Sequence, residues 1–315
     1  MALCLRRPQR TFCDLPFAPL NFDGRIYDGL RFHDVDVAVF GAPHGTPYAP
    51  GQPSHAAEAP DALRRALAWY AVGREQIDMD TGRPVMGRTI AVDCGDVTGS
   101  LTDGAANRRA LFHTTQALRD AGCIPLMLGG DDSTPIPFIA GFEDREIWVV
   151  QVDAHLDWRQ EVDGVRHGFS STMRRASEMD HVAGIVQIGA RGPGSARAED
   201  LADAAQWGAQ IFPMHVLHRD GLSEAIEAVP RGALVVLAFD TDALDPSLNP
   251  GVLLPAFGGL SYNQTLDLIH GVADRSRIIG AAFVEYVPEK DPASHGAQAI
   301  ARIACNLIDR MGPAE

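Results

Sequence analysis

The stretch Trp148-Val-Val-Gln-Val-Asp-Ala-His-Leu-Asp-Trp-Arg159 constrains this chain more than any other. Its valine-rich apolar run reads as a strand buried on both faces. The run ends abruptly in Asp153, His155 and Asp157. Two carboxylates and an imidazole at the mouth of a buried strand are costly unless something compensates them, and a bound cation is the simplest compensation. The plainer alternative is a polar strand-to-helix turn with Asp as cap. An Asp-x-His-x-Asp pattern is hard to obtain that way.

Around this stretch the chain alternates between strands and helices. Strands are expected near residues 35–41, 89–95, 124–130, 148–153, 184–190, 210–214, 233–239 and 278–285. Helices are expected near 59–70, 107–121, 134–141, 196–207, 221–228, 262–273 and 296–310. That alternation predicts an α/β fold around a mainly parallel sheet, and the strand count also fits a closed barrel. Residues 1–34 have weak periodicity and several turn formers, among them Pro16, Pro19 and Asp23-Gly24. They are expected to form an N-terminal arm, packing on a neighbouring subunit, with residues 35–315 as a single domain. The loop Ala42–Gly51 is dense in Pro and Gly and therefore fixed in shape.

Composition narrows the partners. A net charge of −14 weighs against nucleic acid. No apolar stretch approaches the roughly 18 residues of a membrane span, and no secretory signal is expected from residues 1–8. Five scattered cysteines show no Cys-x-x-Cys pairing, which fits a reducing cytoplasm.

Ligands in open parallel sheets gather at the carboxyl ends of strands. Two further strand ends are acidic. The run Ala233–Phe239 leads into Asp240-Thr-Asp242-Ala-Leu-Asp245, and the i, i+2 spacing aims Asp240 and Asp242 to one side. The strand ending at Gly130 leads into Asp131-Asp132, which also suits a helix N-terminus. Pooling Asp132, Asp153, His155, Asp157, Asp240 and Asp242 yields an oxygen-rich set with one imidazole and no thiolate, which suits Mn²⁺ better than structural zinc. Six ligands exceed what one ion needs, so two ions sharing carboxylates is the natural reading. Two metals about 4 Å apart acidify a bridging water, so the implied chemistry is hydrolysis.

The segments Gly129-Gly-Asp-Asp-Ser133, Val152-Asp-Ala-His-Leu-Asp157 and Phe239-Asp-Thr-Asp-Ala-Leu-Asp-Pro-Ser-Leu-Asn-Pro-Gly251 resemble, in order and spacing, the three signatures of the ureohydrolase (arginase and agmatinase) family. Asp93-Cys-Gly-Asp-Val97, Val284-Glu-Tyr-Val-Pro288 and Ser294-His-Gly-Ala-Gln-Ala299 are agmatinase-like as well. The resemblance implies a three-layer α/β/α sandwich with a mainly parallel eight-stranded sheet. It implies two Mn²⁺ per subunit, with Ni²⁺ or Zn²⁺ as substitutes. The implied reaction is attack of a metal-bridging hydroxide on a small guanidino compound, agmatine-like or other, to release urea. Trimers or hexamers are implied too.

Carried onto this chain, Asp132, Asp153, Asp157 and Asp240 hold one metal. Asp153, His155, Asp240 and Asp242 hold the other, and Glu285 pairs with the substrate guanidinium. Two departures stand out. The family pattern Gly-Gly-Asp-His-Ser has a His where this chain has Asp132. The proton-shuttling His is assigned to His167, by its spacing after Asp157. Registering the chain on Arg174-Arg-Ala176 instead puts Phe169 at that position. Arg159 is a candidate for contacting the substrate tail; its alternative is a solvent-facing pair with Glu161 or Asp163. A second reading of the whole chain is a ureohydrolase-like subunit with impaired catalysis, assembling with an active paralogue in a hetero-oligomer.

Overall fold

The computed structural model describes residues 5–20, 34–49, 51–67, 76–194 and 196–312. Asp23-Gly24 of the expected arm and the expected helical end at 68–70 lie outside these residues. The strands are β1 (Leu5–Arg6), β2 (Val37–Gly41), β3 (Ile77–Asp78), β4 (Arg83–Pro84), β5 (Ala91–Val97), β6 (Ile124–Leu128), β7 (Ile147–Val152), β8 (Val182–Ile188), β9 (Gln210–Phe212), β10 (Leu234–Asp240) and β11 (Arg277–Val284). Nine of them form one sheet in the order β1-β5-β2-β6-β11-β10-β7-β8-β9, and β3 and β4 pair separately. Only the β1–β5 pairing in the large sheet is antiparallel. The sheet is open, with β1 and β9 at its edges, so the barrel alternative is not realised.

Helices α1 (Ala59–Ala66), α2 (Gly104–Asp120), α3 (Pro135–Ala140), α4 (Thr172–Ala176), α5 (Ala198–Trp207), α6 (Met214–Asp220), α7 (Ser223–Glu227), α8 (Tyr262–Arg275) and α9 (His295–Met311) cover both faces. Side chains alternate along each strand, so one strand feeds two cores. Val150 and Val152 enter a core with residues of α1, α6, α7, α8 and α9. Val149 enters another with residues of α2, α3, α4 and α5. The result is three layers, with the sheet in the middle.

Three departures from the expected elements have local causes. The strand expected at 89–95 runs instead from Ala91 to Val97, carrying Asp93 and Asp96 inside the sheet. Arg64 of α1, itself fully buried, makes this tolerable: its Nε lies 2.8 Å from Asp93 Oδ2 and its Nη1 2.5 Å from Asp96 Oδ1. Short α4 and α6 carry too few residues for a periodic signal, and α6 simply starts after Pro213. Residues 5–20 supply the unexpected short strand β1 and pack on their own chain. Phe12, Leu15, Ala18 and Leu20 are buried in this chain, and the backbone N–H of Phe12 donates to Asp93 Oδ2 at 2.8 Å.

Candidate active site

Strands β6, β11, β10 and β7 lie side by side, and their carboxyl ends deliver Asp132, Glu285, Asp240 and Asp153 in that order across the sheet. Register keeps these ends level: Leu128 pairs with Phe283, Phe283 with Phe239, and Phe239 with Val152. The six predicted metal-binding residues and Glu285 thus converge, and all but Asp153 line one cavity of about 610 Å³. Asp153 is buried.

Several of these side chains are held from behind. Gln151 of β7 donates from Nε2 to Asp153 Oδ2 and Asp157 Oδ2, both at 2.7 Å. Gln187 of β8 in turn donates to Gln151 Oε1 and accepts from Trp158 Nε1 at 2.7 Å. Asp242 Oδ1 accepts the backbone N–H of Ala154 at 3.0 Å, and Asp240 Oδ1 that of Asp242 at 2.7 Å. Asp157 and Glu285 sit at φ of 52° and 66°. Such a conformation is costly for residues with a side chain and persists only where surrounding contacts impose it.

The electrostatics of the cluster call for cations. Burial, followed by the charges of neighbouring carboxylates, pushes Asp132, Asp157 and Asp240 well above the ordinary carboxylate range. His155 Nδ1 lies 2.9 Å from Asp242 Oδ2 and 3.4 Å from Asp153 Oδ1. Burial opposes its protonation, yet hydrogen bonds to those two carboxylates raise it to about 12. Buried Asp132 Oδ2 has no hydrogen-bond partner among the described residues.

Donor atoms of Asp153, His155 and Asp242 lie within 4.8 Å of one another, and so do those of Asp132, Asp153 and Asp240. Asp153 belongs to both groups. A hard, oxygen-preferring ion fits each trio, and the unpartnered oxygen of Asp132 is a donor aimed at nothing else. Asp157 lines the same cavity, but it belongs to neither trio; its carboxylate is engaged by Gln151.

Two other candidate residues, His167 and Arg159, are placed differently from the carboxylate cluster. His167 is not among the residues lining the cavity. It is half-buried near Arg108, Arg166, Arg175 and Glu178, and burial followed by the arginine charges lowers its pKa. Phe169 lines the wall instead, at the position that registering on Arg174-Arg-Ala176 gave it. The cause is the packing of this loop against Tyr48: Gly168 meets the tyrosine ring so closely that a Cβ there would clash, and Ser170 N–H donates to Tyr48 Oη at 3.0 Å. Arg159 does line the cavity, but its ionic partner is Asp200 (3.5 Å), also in the wall, and not Glu161 or Asp163.

One side chain in the cluster carried no strong sequence signal. His55 Nε2 lies 2.5 Å from Glu285 Oε2, and the His55 ring meets Phe169 edge-on with centroids 5.3 Å apart. His44, in the same Pro/Gly-rich region, is buried, and neither of its ring nitrogens has a hydrogen-bond partner among the described residues. The loop's stiff composition was visible in the sequence. Its proximity to Glu285 was not, because that depends on β2 lying two strands from β11.

An open, mainly parallel α/β sheet with a carboxylate–imidazole cluster at adjacent strand ends defines an α/β protein with a candidate cation site. Residues 35–309 match the model of the arginase family, and the chain belongs to that family. It is 36% identical over 196 residues to an N(1)-aminopropylagmatine ureohydrolase of Thermus thermophilus, over 61% of this chain and 64% of the relative. That match thus spans just under two thirds of the relative's length. A guanidinobutyrase of Pseudomonas aeruginosa is 28% identical, over 73% of this chain and 75% of its own. Among solved structures, proclavaminate amidino hydrolase from Streptomyces clavuligerus superposes with a TM-score of 0.81 at 26% identity, covering 96% of both chains. Among the described residues, no helix is long and apolar enough to cross a membrane.

Proposed function

We propose that the chain is an amidinohydrolase that cleaves a guanidino C–N bond of a small molecule. The observation that carries this reading is the convergence on one cavity of two metal-type donor trios and a separate buried carboxylate, Glu285. The names of the relatives point the same way. A substituted guanidinium and water become an amine and urea; the water oxygen passes to carbon, and both water protons end on the departing ammonium.

Asp153, His155, Asp240 and Asp242 would hold one divalent cation, and Asp132, Asp153, Asp157 and Asp240 a second, with Mn²⁺ the best match and Ni²⁺ or Zn²⁺ substitutes. Such a pair, when bound, supplies a strong oxygen nucleophile at neutral pH and polarises the carbon under attack. The chain's own residues do the rest. Glu285 accepts the guanidinium's parallel N–H groups in a two-pronged charge-assisted contact. Gln151 keeps Asp153 and Asp157 from turning away. Phe169 and Trp158 exclude water on one wall, and the Arg159–Asp200 pair meets the substrate's tail. We assign the reaction to a cytoplasmic homo-oligomer whose residues 35–315 form one catalytic domain.

The deciding experiment loads the purified chain with Mn²⁺, Ni²⁺ or Zn²⁺ and follows urea release across guanidino compounds with different tails, with metal per chain measured alongside. Turnover of at least one compound with stoichiometric metal is expected. Absence of both bound metal and turnover would end this reading.

A further inference from the structure

Glu285 is gripped by the protein at both oxygens. Oε1 accepts the backbone N–H of Asp132 at 2.8 Å, and Oε2 lies 2.5 Å from His55 Nε2. A carboxylate offers about four lone-pair sites, two on each oxygen. The protein therefore uses one site on each oxygen and leaves one on each, which is what a bidentate guanidinium requires. Without the second grip, the carboxylate is restrained at Oε1 alone and pivots about that contact.

The imidazole is itself held. It comes from the segment between β2 and α1, on a stretch locked to the site by Thr46 N–H donating to Ser133 Oγ at 2.6 Å and by Gly45, whose missing Cβ makes room for Asp131. Phe169 stacks edge-on against it, and Tyr48 in turn packs on Phe169 with centroids 4.5 Å apart. Although burial opposes protonation of His55, its contact with Glu285 outweighs burial and raises its pKa. His55 lies behind Glu285 and Phe169, outside the cavity lining, so it acts on substrate only through Glu285.

We propose that His55 is the positioning residue for Glu285: its Nε2–H fixes the carboxylate so that one lone pair per oxygen faces the incoming guanidinium. The inference rests on the amidinohydrolase reading for its substrate, while the contact itself does not.

The test uses the full metal-loaded chain with His55→Gln, His55→Leu and Glu285→Gln. The Gln side chain places an N–H donor close to where imidazole Nε2 stands; Leu offers none. Losing one hydrogen bond to a charged group should raise KM by about tenfold or more in His55→Leu. Its kcat should change far less, because binding common to ground and transition states is what is lost. His55→Gln should restore KM to within about threefold. A Gln variant as impaired as the Leu variant would reduce His55 to ring packing and overturn the proposal, as would two variants indistinguishable from the parent.

A second readout needs no turnover. In ¹⁵N-histidine-labelled protein, the imidazole N–H resonance lost in His55→Gln should respond to added guanidinium ion and persist at saturation, and the response should vanish in Glu285→Gln. If the chain hydrolyses no guanidino compound yet this response is present, the reaction assignment fails and the role of His55 stands. Loss of the N–H resonance on guanidinium addition would show that His55 is displaced, which contradicts the proposal; so would absence of any response.

Discussion

The backbone N–H of Asp132 donates to Glu285 Oε1 at 2.8 Å, across 153 residues of sequence. Asp132, proposed above as a metal ligand, thus also braces the carboxylate proposed to meet substrate, and it does so through its main chain. A substitution at 132 changes the ligand and leaves the brace in place.

This separation makes Asp132 a clean probe. Burial and the charges of Asp157, Asp153 and Glu285 all act against its ionised form. Asp132→Asn is therefore expected to stabilise the metal-free protein at neutral pH by about 1–3 kcal/mol. The same change should lower Mn²⁺ bound per chain. Asp132→His should keep the gain in metal-free stability and restore, or raise, Mn²⁺ content and activity. Melting curves with and without Mn²⁺ and metal analysis decide this; a metal-free Asn variant no more stable than the parent contradicts the repulsion argument.

His167 and Phe169 separate the two ways of registering the loop after Asp157. Because His167 lies outside the cavity lining, His167→Ala should leave kcat/KM within about threefold of the parent. Phe169→Ala removes the ring that packs on both His55 and Tyr48. It should cost about 1–2 kcal/mol in kcat/KM, close to tenfold. A large kcat loss in His167→Ala would return the proton shuttle to that residue.

Burial lowers His44 from 6.5 to about 4. A folded-state pKa below the unfolded one means that the neutral ring's contribution is complete above pH 6.5 and is lost as pH falls toward 4. A difference of this size is worth roughly 3 kcal/mol. His44→Phe should therefore flatten the acid limb of the stability profile between these pH values. It should also remove two unpaired buried nitrogens, making the variant no less stable at pH 7. Denaturant titrations at a series of pH values measure both effects; an unchanged acid limb would show that His44 does not titrate with unfolding.

Arg64 with Asp93 and Asp96 forms an ion network with almost no exposure. Arg64→Met strands buried Asp93 and leaves Asp96 only the largely exposed Arg6 (3.5 Å), and should cost about 3–5 kcal/mol. Adding Asp93→Asn and Asp96→Asn to it should recover much of that loss. Equal destabilisation of the single and triple variants, by chemical unfolding, would show that packing of the arginine stem dominates.

How much of this was written in the sequence divides along physical lines. The apolar runs ending in Asp153, His155 and Asp157 and in Asp240 and Asp242 were legible because strand burial and side-chain alternation are local properties. Alternating strand and helix periods likewise determined the α/β class, and the resemblance of three motifs to one family supplied the ligand set, later joined by the match over residues 35–309. Strand order was not local. That β6, β11, β10 and β7 are neighbours, and so bring Asp132 and Glu285 into contact, is decided by how the helical layers pack. The same holds for His55, which looks like a loop histidine until the loop after β2 locks onto Ser133. At the loop after Asp157 the choice between His167 and Phe169 was open in one dimension. The tertiary structure puts Phe169 in the cavity wall and Tyr48 against Gly168, because the facing of a loop residue is set by what it packs on and not by its spacing from a motif.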